Sequence, residues 1–311
     1  MSKSKRHHYL PRFYLSGFAE EGQLSVYDRV DNRYRKGSPK NEGLIGHYYS
    51  VENEDGERDA GIELILSKIE GNAKTAIDLL TDSKPLSADD RYWLSIFSAL
   101  FLFRTPEFES DVNEVQKQLI KSMMRTSFAS NERARREIEE FNRKNEKPPE
   151  VDPEDFAEFV QSDQFEIEMH RNSSLSMVLP IAREVADILY QQNWMILHNL
   201  SSVPFLTCDA PFLVIPPSDF DPHSWHGVGM MAPGSKRFVP LSQNVGLLML
   251  EHGGLQGDMK ITLEAEVNAF NAGIASLTKR YLFGPKGDHL REIVEQVDLP
   301  NLERSPRLRM T

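Results

Sequence analysis

Trp93, Phe97, Leu100 and Arg104 follow one another at helical steps of four, three and four, which sets a guanidinium on the apolar stripe of a helix. A charge there requires a carboxylate, a phosphate or several carbonyl oxygens, because an unpaired buried ion is very costly. Arg104 is therefore either half of a structural ion pair tying helix to helix or the floor of an anion site. Glu63 and Glu70, on a second amphipathic helix, are the carboxylates that could answer it. They lie two turns apart, about 10 Å by the rise per residue, too far to share one metal ion without further ligands between them.

The stretch FLTCDAPF sets Asp209 just after an expected strand and two residues ahead of Pro211. A carboxylate in that place caps a turn through its side-chain oxygen, or it stands as a reactive group on a loop at a strand end. Both roles stay open. The sole cysteine, Cys208, reads as a small buried hydrophobe. The stretch HHYLPRFYL (7–15) supplies an imidazole, His8, which titrates near neutral pH and suits general acid or base work. The bland alternative is that His8 hydrogen-bonds a carboxylate and fastens its segment.

Metal and cofactor signatures are weak. His7 and His8 are adjacent, so on a strand they face opposite sides, and His223 and His226 form only a permissive HxxH. The chain has no HExxH, CxxC, GxxxxGK[ST], GxSxG or GxGxxG pattern. No metal and no cofactor is assigned.

These residues need elements to carry them. QLSVYDRVDNRYR (23–35) reads as a hairpin, with Leu24 and Val26 alternating against Ser25 and Tyr27. HYYSVE (47–52) reads as another strand. Ile62 to Leu80 follow helical spacing, and KPLSADDRYWLSIFSALFLFRTP is a helix capped by Ser87 and stopped by Pro106. A further helix is expected from Glu107 to about Thr126. Residues 128–163 are highly charged and read as a solvated helical arm or insertion. Residues 165–192 read as helical, Pro180 either kinking one helix or opening a second. Short apolar runs at 194–200, 203–208, 238–241 and 245–251 read as strands, 213–236 as one long loop, and TLEAEVNAFNAGIASLTKRYLFG as a helix ending at Gly284. The expected fold class is α+β within a single domain over 1–311: a mainly helical middle packed on an antiparallel sheet formed by N-terminal and C-terminal strands.

Composition bounds the rest. The chain has 311 residues, 40% hydrophobic and 27% charged, which is a globular balance. Its formal net charge of −11 disfavours a broad nucleic-acid or anionic-membrane surface while leaving room for a local basic site. One cysteine, no apolar stretch long enough to span a bilayer and no secretory pattern behind MSKSKRHHYL lead to a cytoplasmic expectation.

Several of these segments together resemble an uncharacterised family of mostly bacterial proteins, catalogued as domain of unknown function 4238. The likeness rests on HxxPRFYLxxFA (His8 to Ala19), LSVYDR, SPK at 38–40, FRTP at 103–106, PFLTCDAP at 204–211, VPLS at 239–242, and a last helix carrying Asn271 with RYLFG at its end. Cys208 stands where the family usually has serine. The resemblance supplies organisation and no activity. It points to polar groups beside rigid apolar anchors, His8 with Pro11, Arg104 with Pro106 and Asp209 with Pro211.

Two functions follow. In the first, His8, Arg104 and Asp209 are catalytic in a phosphodiester hydrolase acting on RNA or a nucleotide. Arg12, Tyr14 and Asn271 then contact substrate, and Glu70 is a lesser candidate to orient the imidazole. In the second, the same His, Arg and Asp form a buried structural network in a non-catalytic binding or regulatory protein, with no protein partner assigned. The geometric expectation is that the first twenty residues come close to Asp209.

Overall fold

The computed structural model describes residues 6–46, 51–52, 58–59, 61–144, 151–168, 171–221, 229, 232–251 and 253–302. The fold is α+β. Two compact units divide the chain: residues 1–108 with 175–311, and the contiguous segment 109–174.

In chain order the elements begin with β1 (Arg6–His8), α1 (Arg12–Ser16), β2 (Leu24–Asp28), β3 (Arg33–Gly37) and β4 (Leu44–Gly46). The two short strands β5 (Val51–Glu52) and β6 (Arg58–Asp59) precede the helices α2 (Gly61–Thr81), α3 (Ala88–Phe103), α4 (Pro106–Ser127), α5 (Asn131–Lys144), α6 (Pro153–Ser162) and α7 (Arg171–Gln191). The chain then runs through β7 (Asn193–Asn199), β8 (Thr207–Cys208), β9 (Leu213–Ile215), β10 (Lys236–Pro240), β11 (Val245–Leu250), β12 (Gly257–Ile261), α8 (Glu264–Ser276), β13 (Tyr281–Gly284) and α9 (Gly287–Gln296).

Strands from the two ends of the chain share one sheet, in the order β3-β2-β13-β8, every pair antiparallel. Five residues of β2 are buried, where alternation predicts one buried face. The reason is that α9 packs on β2 and β13, so the strand is covered on both sides. A second sheet has the order β12-β7-β11-β10-β9. Its β12–β7 pair is parallel, and the other three pairs are antiparallel.

The helical spacing of 62–80 and 88–103 is realised in α2 and α3, which pack on each other. Ser87 caps α3 with a reciprocal bond to Asp90. Helix α3 ends at Phe103, so Arg104 is the capping residue rather than a member of the last turn, yet it remains buried. Pro180 lies inside a single helix, α7. The stretch RYLFG is not helical: α8 stops at Ser276, and Tyr281–Gly284 form β13 between β2 and β8. In the segment 213–236, Leu213–Ile215 pair with β10. The expected strand at 47–52 is described only at Val51 and Glu52, and His223 and His226 lie outside the described residues.

Within the first unit one continuous apolar cluster joins Leu10, Tyr14, Leu15 and Phe18 to Ala73, Phe97, Phe101, Phe205, Leu241 and Leu282. In the second unit, Phe128 and Phe156 meet edge to face at 4.9 Å, and Ala134, Ala157 and Val160 are buried. Asp163, in the left-handed region at φ 56°, ends α6 and receives Lys121 at 3.0 Å and Arg125 at 2.8 Å. Among the described residues no helix is long and apolar enough to cross a membrane.

Candidate functional site

The HHYLPRFYL stretch is held at both ends. β1 pairs with β4, His8 opposite Leu44, and the Tyr9 amide donates to the Gly43 carbonyl at 2.8 Å. Pro11 then opens α1, a position where its missing N–H costs nothing. Tyr14 packs against Phe18, Phe97 and Phe101 with ring centroids 5.2, 6.0 and 4.8 Å away. Its hydroxyl donates to the Pro240 carbonyl at 2.8 Å, so its single proton is used there and Thr207 Oγ1, 2.7 Å away, donates to it.

Arg104 meets this segment from the end of α3. Its Nη1 donates to Glu70 Oε1 at 2.6 Å and its Nη2 to the His8 carbonyl at 2.7 Å. Of the two glutamates offered by the helix, Glu70 is thus the partner. Arg104 is 6% exposed and Glu70 26%, so the pair sits at the edge of the core with the cation inside. The His8 ring Nδ1 lies 3.1 Å from the Glu42 carbonyl. A carbonyl only accepts, so Nδ1 carries the proton and Nε2 the lone pair of the neutral ring. Burial lowers the His8 pKa; the Glu42 bond and the Glu70 carboxylate oppose this, while Arg104 and Arg12 lower it further. Glu42 is itself held by the Arg35 fork, Nη2 to Oε2 at 2.8 Å and Nη1 to Oε1.

Asp209 has a different environment. Its carboxylate accepts three main-chain amides, from Lys279 at 2.9 Å, Arg280 at 2.6 Å and Tyr281 at 3.0 Å, while its own amide donates to the Tyr281 carbonyl at 3.0 Å. It therefore caps the turn that launches β13. In the N-terminal segment the Tyr9 phenol is raised well above its ordinary pKa, by burial first and then by the Asp209 carboxylate.

Asn271 belongs to another cluster. Its Oδ1 accepts the Leu206 amide at 2.8 Å, and its Nδ2 donates to the Pro204 carbonyl at 2.9 Å and to His289 Nε2 at 3.1 Å. The His289 proton is thereby assigned to Nδ1, which stands 3.6 Å from Glu292 Oε2. Burial lowers the His289 pKa, and Glu292 opposes the shift.

The sequence profile of the family described as Protein of unknown function (DUF4238) matches residues 6–288. The chain belongs to that family. No curated protein and no solved structure matches it.

In this DUF4238 chain, then, His8, Arg104 and Glu70 are in contact, with Arg12 close enough to act on the imidazole. Asp209 is not bonded to that group: its carboxylate is held by the amides of 279–281, and toward the N-terminal segment it acts only through its charge on the Tyr9 phenol. Tyr14 and Asn271 spend their polar groups on backbone and core partners. Three contributors escaped sequence reasoning. Tyr9 lies inside the quoted motif but reads as one aromatic anchor among several, Arg35 ends a hairpin whose spacing names no partner for it, and Glu42 sits in a polar stretch without periodicity. Among the described residues, no group of three or more His, Cys, Asp or Glu side chains is arranged to hold a metal ion.

Proposed function

We propose that the polar residues of the DUF4238 motifs build a frame rather than a reaction centre, and that this chain is a binding or regulatory protein. The observation that carries this reading is the use of the Asp209 carboxylate by three main-chain amides, a demand that satisfies the anion where it stands. The Arg104 bonds to Glu70 and to the His8 carbonyl support it in the same way. A cytoplasmic setting is supported by Cys208, the one cysteine, buried and not in a disulfide.

Substitution separates a frame from a reaction centre. Arg104→Met and Asp209→Asn lower stability by several kcal/mol on this reading, roughly the loss seen when one partner of a buried pair is removed. Folded variants with unchanged stability and a lost enzymatic activity overturn it.

One observation favours the hydrolase reading, and it concerns His8 alone. Its Nδ1 proton is tied to Glu42, its Nε2 makes no bond among the described residues, and the Arg12 guanidinium, which bears on the ring, could hold a phosphate. RNA or a nucleotide would be the substrate. His8→Asn tests this: cleavage of a generic phosphodiester by the parent chain, abolished in a folded variant, supports it, and no cleavage by the parent removes it.

A further inference from the structure

A groove of about 560 Å³ opens beside α1. Its walls come from three parts of the first unit: α1 with Arg12, Phe13 and Ser16, the second half of α2 with Ile77, Thr81 and the ion pair of Lys74 with Asp78, and the 241–244 turn with Ser242, Gln243 and Asn244. The α1 and turn walls are fixed to each other. The Gln243 amide donates to the Gly17 carbonyl at 2.9 Å, and Ser242 Oγ accepts the Asn244 and Val245 amides at 3.3 and 3.1 Å. At Gly17 a Cβ would lie 3.2 Å from that of Ser242, so α1 and the turn approach closely. The groove is preformed, and its size is that of a small-molecule site.

Three of its polar side chains are unspent, while Ser16, Thr81 and Ser242 bond main-chain groups and Lys74 pairs with Asp78. Among the described residues, the side chains of Arg12, Gln243 and Asn244 make no hydrogen bond or ion pair. A guanidinium fork suits a phosphate or carboxylate. A primary amide, with one donor and one acceptor edge, suits the paired donor and acceptor of a nucleobase. Phe13 adds an aromatic surface braced from behind by Phe97, with centroids 5.5 Å apart. A sugar phosphate would leave the amides and the ring idle, and an uncharged base would leave Arg12 idle.

We propose that this groove binds a nucleoside phosphate, with Arg12 holding the phosphate and Gln243 and Asn244 meeting the base edge. The assignment rests on the binding reading above and names its ligand class. Calorimetric titration of the full chain with AMP, GMP, CMP, UMP, ribose 5-phosphate and inorganic phosphate tests it.

At least one nucleotide saturates the chain, about tenfold or more tightly than ribose 5-phosphate or inorganic phosphate. Arg12→Ala weakens it by at least about tenfold, and Asn244→Ala narrows the difference between bases. Both variants are surface changes that keep the parent melting temperature. No saturation at millimolar nucleotide overturns the proposal, as does binding that survives Arg12→Ala, or equal affinity for ribose 5-phosphate. A short single-stranded RNA that binds more tightly than every mononucleotide overturns the small-ligand assignment. If no nucleotide binds while Arg104→Met and Asp209→Asn still destabilise, only the groove assignment falls. If those two variants keep full stability, the frame reading beneath it falls instead.

Discussion

Arg104 donates to the main-chain oxygen of His8 at 2.7 Å, across 96 residues of sequence. A guanidinium at the end of a long helix thereby grips the backbone of the HHYLPRFYL stretch rather than its imidazole, and the same guanidinium holds Glu70 at 2.6 Å.

Removing the cation leaves two acceptors without it. Arg104→Met is expected to cost about 3–5 kcal/mol by urea denaturation, the range for breaking one side of a buried pair. Glu70→Gln costs less, because an amide oxygen can still accept from Arg104 and the bond to the His8 carbonyl is untouched, although the buried cation loses its counter-ion. The double variant Arg104→Met, Glu70→Leu recovers part of the loss, since no charge is then left unmatched.

Asp209→Asn replaces an acceptor-only group with one whose nitrogen faces main-chain donors. Bonds to a charged acceptor contribute about 1.5–3 kcal/mol each, and losing one or more of the three is expected to lower the unfolding free energy by about 2–4 kcal/mol. Amide hydrogen exchange at Lys279, Arg280 and Tyr281 reads the same event locally, and protection there falls before protection in β11.

Gly43 turns the chain at φ +63°, and a Cβ there would come within 2.9 Å of the Leu10 Cβ and 3.1 Å of its carbonyl. Gly43→Ala is therefore both strained and overpacked. A loss of about 1–3 kcal/mol is expected, together with weaker protection of the Tyr9 amide, which bonds the Gly43 carbonyl.

The two lowered histidines give acid sensitivity a definite sign. His8 and His289 are both disfavoured as cations in the fold. As pH falls below about 6.5 the unfolded chain takes up those protons first. Stability is thus level above that value, declines toward the lowered folded-state pKa values, and levels off below them as far as these groups are concerned. Protonated His289 also cannot accept from the Asn271 amide. Denaturation midpoints for the parent and a His8→Gln, His289→Gln variant, taken between about pH 7.5 and 5, should converge at the acid end, with the shallower slope in the variant.

What the sequence made legible depended on local periodicity. Arg104 was readable as a buried cation because Trp93, Phe97 and Leu100 set its face, and Glu70 followed from the helix opposite. The role of Asp209 was not readable, because its three donors lie 70 to 72 residues further on. RYLFG continued the apolar spacing of α8 and so read as helix. Its true state is decided by β2 and β8, partners that local spacing does not contain. Glu42 gave no signal in a run of small polar residues, although it joins Arg35 to the His8 ring.

The pairing of β2 with β13 has a consequence for how the chain is made. Val26 finds its partner at Phe283, which the ribosome adds roughly ten seconds to a minute later at ordinary elongation rates. Through that interval Leu24, Val26 and Tyr27, fully enclosed in the finished molecule, have only β3 beside them. A nascent DUF4238 chain therefore carries a sticky, half-built edge until Phe283 has been made, and it should lean on holdase chaperones more heavily than a protein whose sheets close in order of synthesis.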